Sequence, residues 1–392
     1  MSESDFSKVY FADRNAKAKY SMLDKIDRLW KKLGLDKAIK PEMRVLIKTH
    51  FGASGNTNYI RPAFIRHVVD LVKQNGAYPA VAESTGLGYG RWGDYGGRSL
   101  ATDYIEMAAS NGFSIGTVGA PIIMIDGYWG TDSFEVKIDG NYLDSVHVAM
   151  ALKGFDIIIM MTHAKGHGAT GFGGTLKNLG IGCVAKQSKG LMHSEGDIAV
   201  NPKKCKPSEC GAPCLSVCPH DCISIDKVAK INTQCCTLCL HCKSVCTHKA
   251  LNAITLTWSK SEDATKKMVE NALGVLKGVG ADKFYYFNLA LDISEICDCA
   301  SYGPAPIVPD IGIFASRDPV AIDKAVLDKI NEFPPIQQSN LAGIKDGMDK
   351  LEYVYDKIFP KEEFKHINHI IQIEYAEKLG LGTQKYKIEQ VD

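Results

Sequence analysis

The chain has 392 residues, 45% of them apolar, enough for one large or two ordinary domains with a sizeable core. Lysine and arginine number 46 against 45 aspartates and glutamates, so the net charge of +1 gives no electrostatic basis for a nucleic-acid or anionic-membrane partner. The most apolar stretch, Phe155 to Thr162, is interrupted by Asp156 and falls far short of the roughly 18 residues that span a bilayer, and the N-terminus MSESDFSKVYF has no signal-type apolar region, so a cytoplasmic location is expected.

In chain order, short apolar runs alternate with amphipathic stretches, which is the pattern of a mostly parallel sheet with helices on its faces, the α/β class. Val45-Leu46-Ile47 and Ala80-Val81-Ala82 read as strands, with a helix over Pro62 to Gln74 between them. Ser99 to Asn111 reads as a helix, and Ile122 to Ile125 and Ile157 to Met161 as strands. A cysteine-rich stretch then breaks the pattern. It resumes with a helix over Ser261 to Val279, strands at Phe284-Tyr285-Tyr286-Phe287 and Ile311-Gly312-Ile313-Phe314, and a helix from Pro319 to Ile330 started by Asp318. A last amphipathic helix is expected from about Glu362 to Leu379. The organisation this predicts is an α/β domain built from residues 1–200 and 259–392, with a small α+β module inserted at 201–258. Such an insertion requires its two ends to lie close together.

Several strand ends carry chemistry. Lys48-Thr-His50-Phe-Gly-Ala-Ser-Gly-Asn56 and Glu83-Ser84-Thr85-Gly86 leave two of them and should share one edge of the sheet. The richest string follows the strand at 157–161: His163-Ala-Lys165-Gly-His167-Gly-Ala-Thr-Gly171-Phe-Gly173-Gly174-Thr-Leu-Lys177-Asn178. A glycine-rich loop running into a helix start can present backbone N–H groups to an anion, with Lys165, Lys177 and His167 adding charge or protons. It is neither a Walker loop nor a dinucleotide fingerprint. The rival reading is a tight backbone crossing that also demands glycine. His193 lies close enough in sequence to the cysteine-rich stretch to sit between it and this loop. Further on, Asp292-Ile-Ser-Glu-Ile-Cys297-Asp298-Cys299 offers a C-x-C pair able to ligate a metal or act as a redox thiol, with Asp292 or Asp298 to orient or protonate. A pair merely buried near a turn is the alternative for those two cysteines.

Ten of the thirteen cysteines lie between Cys205 and Cys246. Cys236, Cys239, Cys242 and Cys246 form C-x2-C-x2-C-x3-C, the spacing of iron-sulfur ligands. Cys205, Cys210, Cys214 and Cys218 repeat it with longer early steps, the offsets between partners being 31, 29, 28 and 28. Zinc ribbons instead pair two C-x2-C elements across a longer spacer. Cys222 and Cys235 fall outside the repeat and read as buried small side chains. The block resembles the bacterial two-[4Fe-4S] ferredoxin module, with a lengthened first loop. That resemblance implies two [4Fe-4S] clusters, one on Cys205, Cys210, Cys214 and Cys246, the other on Cys218, Cys236, Cys239 and Cys242.

The strings quoted above, together with Ala305-Pro-Ile-Val-Pro-Asp310-Ile-Gly-Ile-Phe-Ala-Ser-Arg317-Asp-Pro-Val-Ala-Ile-Asp323, resemble the uncharacterised iron-sulfur centre proteins of domain-of-unknown-function family three-six-two, over about Val45 to Asn331. The resemblance implies the α/β domain with its inserted module. It singles out Lys48, His50, Lys165, His167, Lys177, Asn178, His193, Asp292, Cys297 and Cys299 without assigning a role to any of them.

The expected function is a cytoplasmic oxidoreductase of anaerobic habit. It would take electrons from a ferredoxin-like or other low-potential redox partner and relay them to a small anionic substrate or bound cofactor. His167 and His193 are the expected proton donors and Lys165 and Lys177 the anion's counter-charges; Asp292, Cys297 and Cys299 complete the catalytic set. Lys48, His50, Gly171, Gly173, Gly174 and Asn178 are expected to bind the cofactor or substrate. The rivals are an electron carrier or maturation factor docking on another enzyme, and non-redox chemistry beside purely structural clusters.

Overall fold

All seven residues of the strand Ile157–His163 are buried, and the pleat sorts them by parity. Ile158 and Met160 enter one apolar core, while Ile157, Ile159 and Met161 enter the other. A strand covered on both faces belongs inside a parallel sheet flanked by helices. A computed structural model describes residues 6–89, 97–248, 253–358 and 367–391 and places this strand within an eight-stranded sheet. Its order is Tyr386–Gln390, Ser7–Asp13, Gly312–Ser316, Phe284–Ala290, Ile157–His163, Arg44–Lys48, Tyr78–Glu83 and Ile122–Met124. Gly312–Ser316 runs antiparallel to both its neighbours; the other pairings are parallel. The chain is α/β with a mostly parallel sheet.

Helices Met22–Lys32, Pro62–Gln74 and Ala101–Ser110 cover one face. The stripe Phe64, Ile65, Val68, Val69 and Val72 shows how 3.6-residue spacing turns the second of these towards the core. Ser261–Val279, Pro319–Glu332 and Ile370–Lys378 cover the other face. Asp318 starts Pro319–Glu332 as expected, its carboxylate accepting from Val320 N and Ala321 N at 2.9 Å each. The final helix is shorter than the periodicity suggested, and positions 362–366 of that expectation lie outside the described residues. Ser7–Asp13 and Tyr386–Gln390 went unread as strands. Tyr386–Gln390 is a half-exposed edge strand that buries none of its five residues, so it carries no clear apolar alternation. No helix among the described residues is long and apolar enough to cross a membrane.

Strands on either side of the cysteine-rich segment pair directly, with Met160 opposite Tyr286. The segment's own ends run antiparallel: Ala199–Val200 pairs with Ile254–Thr255, and Ser194 bridges to Trp258. Inside it, Ile223–Ile225 and Ala229–Ile231 form a hairpin with Ile223 opposite Ile231. This corrects the reading of Cys222 and Cys235 as buried free cysteines. The hairpin sets the residue before its first strand beside the turn after its second, Asn232 N donating to Cys222 O at 2.8 Å. The two sulfurs are joined as a disulfide across a Cα–Cα distance of 5.8 Å, and Cys235 is exposed.

One buried carboxylate ties the glycine-rich string to the C-terminal half. Asp323 accepts from Thr175 N at 2.7 Å, Leu176 N at 2.8 Å and Asn288 Nδ2 at 3.1 Å. Burial nevertheless pushes its carboxyl up to about 6. Asp323→Ala strips the cap from the helix Thr175–Gly180 and leaves buried donors without a partner. The expected cost is about 2–3 kcal/mol, read as a lowered denaturation midpoint at unchanged slope.

Candidate functional site

The parallel strands Arg44–Lys48, Tyr78–Glu83, Ile157–His163 and Phe284–Ala290 end on one side of the sheet, where α/β folds bind ligands. Side chains from the loops after the first three strands, together with Cys299 from the loop after the fourth, line a cavity of about 290 Å³. His50, Lys165, His167, Gly174, Lys177, Asn178, His193 and Cys299, all expected from sequence, lie on its wall. The two loops at His50 and at Ser84 to Gly86 do share one edge.

Cys297 is buried just behind the wall, and Lys177 Nζ lies 3.2 Å from its sulfur. The hydrogen bond from Cys299 holds the Cys297 thiol well below the ordinary cysteine value, with Lys177 and Lys165 adding to it against the opposing effect of burial. Cys299 is correspondingly pushed well above it, so the two sulfurs share one proton. Burial works against the Lys177 ammonium, but Cys297 and Cys299 outweigh it and raise the group above its usual value. The donor atoms of His167, Cys297 and Cys299 all lie within 4.8 Å of one another.

The loop carrying this pair is fixed from several sides. Asp298, buried between the two cysteines in sequence, takes His163 Nδ1 at 2.8 Å, while His163 Nε2 faces Leu291 O at 2.7 Å. Burial pushes the Asp298 carboxyl up, but His163 and Lys165 beside it hold it well below the usual carboxylate range. Ala53 N donates to Asp298 O at 2.8 Å, and Arg98 Nη2 donates to Cys299 O at 2.9 Å. Sequence reasoning missed Arg98 and His163. No local motif surrounds Arg98, whereas His163 stood in the quoted string and its distant carboxylate was the missing signal.

Other expectations need correction. His167 and His193 were expected to supply protons as neutral-range acids. Burial, then Lys177 and the neighbouring His193, push His167 well below its ordinary value. Burial and Lys177 bring His193 down to about 4. Both rings are neutral at pH 7 and resist taking up a proton, but a neutral imidazole nitrogen can still ligate a metal or accept a hydrogen bond. The glycine-rich string is not an anion cradle, because Asp323 already occupies the helix start. Its glycines serve packing: a Cβ on Gly171, whose φ is 74°, would meet His369 N at 2.8 Å, and one on Gly174 would meet Asp323 Oδ1 at 2.5 Å. Gly173 lies beside the Lys165 and Lys177 side chains. Lys48 sits beneath the cavity floor, paired with Glu83 and bonded to Asn178 Oδ1 at 2.8 Å. Asp292 faces elsewhere, paired with Arg61 at 2.6 Å beside a separate, smaller cavity.

The eight cysteines of the repeat separate into two quartets. Cys205, Cys210, Cys214 and Cys246 line one small cavity, while Cys218, Cys236, Cys239 and Cys242 line another together with Cys222. The second quartet adjoins the cleft, and Leu240 lines both spaces. Gly88 N, beside the cleft, donates to Cys239 O at 2.8 Å. Gly190 lets the helix Lys186–His193 approach Leu238, whose carbonyl would stand 2.5 Å from an added Cβ.

A family model described as Domain of unknown function (DUF362) matches residues 45–328. No curated protein matches. Among solved structures, the chain is similar to a protein from Thermotoga maritima, at 11% identity and a TM-score of 0.35, covering 70% of this chain and 52% of that one. It is also similar to the lactate racemase apoprotein from Thermoanaerobacterium thermosaccharolyticum, at 9% identity and a TM-score of 0.35, covering 74% and 52%. The chain thus spans about half the length of the solved structures it matches.

Proposed function

The chain belongs to the DUF362 family, and from its own residues we propose that it is an iron-sulfur oxidoreductase that delivers low-potential electrons to a small anionic substrate in the cleft. The observation that carries this reading is the sorting of eight cysteines into two quartets, the second of which shares Leu240 with the cleft. Four thiolates on a single zinc, at about 2.3 Å each, would stand roughly 3.8 Å apart. Among the described residues neither quartet contains three sulfurs within 4.8 Å of one another. That spacing suits a cage several atoms across, and the residues present fit [4Fe-4S] clusters held by the inserted segment at 201–258. Bound there, the clusters supply single electrons.

The chain's own side chains then bind the substrate and manage protons. Lys189 faces Asp126 at 3.3 Å and Lys165 faces Asp298 at 3.5 Å, and Lys177 answers the Cys297 sulfur. Arg98 has no carboxylate partner among the described residues, and its buried Nε has no hydrogen-bond partner there. Among the described residues Arg98 thus keeps a directed donor without a hydrogen-bonded counter-charge, which favours an anion. Each electron pair given to a closed-shell substrate must be matched by two protons. The Lys177 ammonium holds a proton at neutral pH and can pass it to the substrate, and solvent entering the cleft reprotonates it for the second transfer. The electron donor is a low-potential carrier protein, and an oxygen-poor cytoplasm suits such clusters. A cavity of about 290 Å³ lined by convergent polar groups favours a substrate over a purely docking role.

Protein purified without oxygen should carry about eight iron and eight sulfide per chain. Once reduced, it should be reoxidised by some carboxylate or phosphate metabolite faster than by buffer. Zinc in place of iron, or no acceptor in a broad anionic screen of fully loaded protein, would overturn the proposal.

A further inference from the structure

We propose that Cys297, Cys299 and His167 form a third metal site, for one divalent ion of the later first-row transition series, with a coordination position open to the cavity. The inference rests on the cleft alone and stands whether or not the eight cysteines of the repeat hold iron. The three donor atoms already lie within 4.8 Å of one another. A tetrahedral ion with bonds of about 2.0–2.3 Å needs its ligands roughly 3.3–3.8 Å apart, so small side-chain adjustments close the site.

The surroundings are those of a ligand set. His167 Nδ1 is engaged inside its own turn, by Thr170 Oγ1 at 3.0 Å and the Thr170 and Ala169 amides at 3.2 and 3.3 Å. Nε2 is the nitrogen left for the sulfur pair. The Ala169 and Thr170 amides donate to Nδ1, whereas the Thr170 hydroxyl gives its own proton to Phe172 O at 3.0 Å and is the acceptor beside that nitrogen; metal binding at Nε2 places the imidazole hydrogen on Nδ1 towards Thr170 Oγ1 and opens the two long amide contacts. Cys299 N approaches Cys297 Sγ at 3.5 Å, and Arg98 and Ala53 splint the loop through the carbonyls of Cys299 and Asp298. Lys177 answers the charge of one sulfur only. A divalent ion would answer both sulfurs and leave the ammonium for the substrate.

Two sulfurs and one imidazole nitrogen select a borderline-soft ion over magnesium or calcium. Three protein ligands with one position free is the pattern of catalytic sites; structural sites close the fourth. His167 and Cys299 both line the cavity, so the open position meets the substrate. The ion would then act there as a Lewis acid on a carbonyl or phosphoryl oxygen.

The test uses full-length, iron-loaded protein and cobalt(II) as the probe, followed by X-ray absorption at the cobalt edge, where iron does not interfere. One cobalt per chain is expected, with two sulfur neighbours and the remainder nitrogen or oxygen. Cys297→Ser and Cys299→Ser should each remove one sulfur neighbour and weaken cobalt binding by at least about 10–100-fold, with iron still at about eight per chain. His167→Ala should keep both sulfurs and lose affinity. Cobalt bound equally well by a Cys297→Ser/Cys299→Ser double variant, or cobalt with only oxygen and nitrogen neighbours, would overturn the proposal and leave the pair as a dithiol. Neither result bears on the clusters, whose failure would show as missing iron.

Discussion

Cys239→Ser is expected to lower bound iron from about eight to about four per chain and to abolish reduction of the cleft acceptor, while the α/β sheet stays folded. Cys239 belongs to the quartet that adjoins the cleft, and its own carbonyl accepts from Gly88 N. Cys214 belongs to the outer quartet. Cys214→Ser should also leave about four iron, but a chemical reductant able to reach the inner site should still drive the cleft reaction in that variant. Electron tunnelling falls steeply with distance, so losing the inner group should matter far more than losing the outer one once the protein partner is bypassed. Iron analysis and single-turnover reoxidation separate the two cases. If Cys214→Ser loses the cleft reaction as completely as Cys239→Ser under the chemical reductant, the ordering of the two groups is wrong. Should either serine variant fail to fold, a bulky change at Leu240, which touches both spaces but ligates nothing, provides a second readout: slower transfer at full iron content.

The readable parts of this chain are those whose information is local. Ile157 to Met161 and Val45 to Ile47 announced themselves because strands buried on both faces need continuous apolar runs. Pro62–Gln74 and Ser261–Val279 matched to the residue, since amphipathic spacing and terminal signals lie within the element itself. The eight cysteines stood out as a repeat from spacing alone, but spacing by itself would keep Cys218 with Cys205, Cys210 and Cys214; the exchange of Cys218 and Cys246 between the two groups came only with the ferredoxin resemblance.

What was missed depends on residues far apart in sequence. His163 and Asp298 are separated by 135 positions; Thr175 and Asp323 by 148. Nothing near Gly174 says that a carboxylate will cap the following helix, so an open anion site was a fair reading of the same letters. Asp292 misled for the opposite reason. It stands five positions before Cys297, but with φ of 49° the chain turns there and sends its side chain to Arg61. Cys222 and Cys235 were judged against the ligand repeat alone, and the hairpin that joins them lies outside that logic.

Arg98→Ala is expected to lower kcat/KM for the anionic acceptor by about 10²–10³, mostly through KM, with iron content unchanged. The magnitude follows from truncating one partner of a buried charge pair, which costs about 2–5 kcal/mol. Arg98 lines the cavity, and its Nη2 is spent on Cys299 O. Its Nε has no hydrogen-bond partner among the described residues, and no carboxylate there forms an ion pair with it. A planar guanidinium held in this way offers a directed donor and a full charge to a carboxylate or phosphate. Arg98→Lys keeps the charge and loses the fork, so it should recover only part of the loss. Both variants release the Cys299 carbonyl and therefore test splinting as well as binding. Cobalt affinity distinguishes the roles: if Arg98 chiefly anchors substrate, cobalt binding in Arg98→Lys stays close to that of the unaltered protein while KM rises. An unchanged KM with weakened cobalt binding would make Arg98 a support for the cysteine loop and would remove the main reason for assigning an anionic substrate.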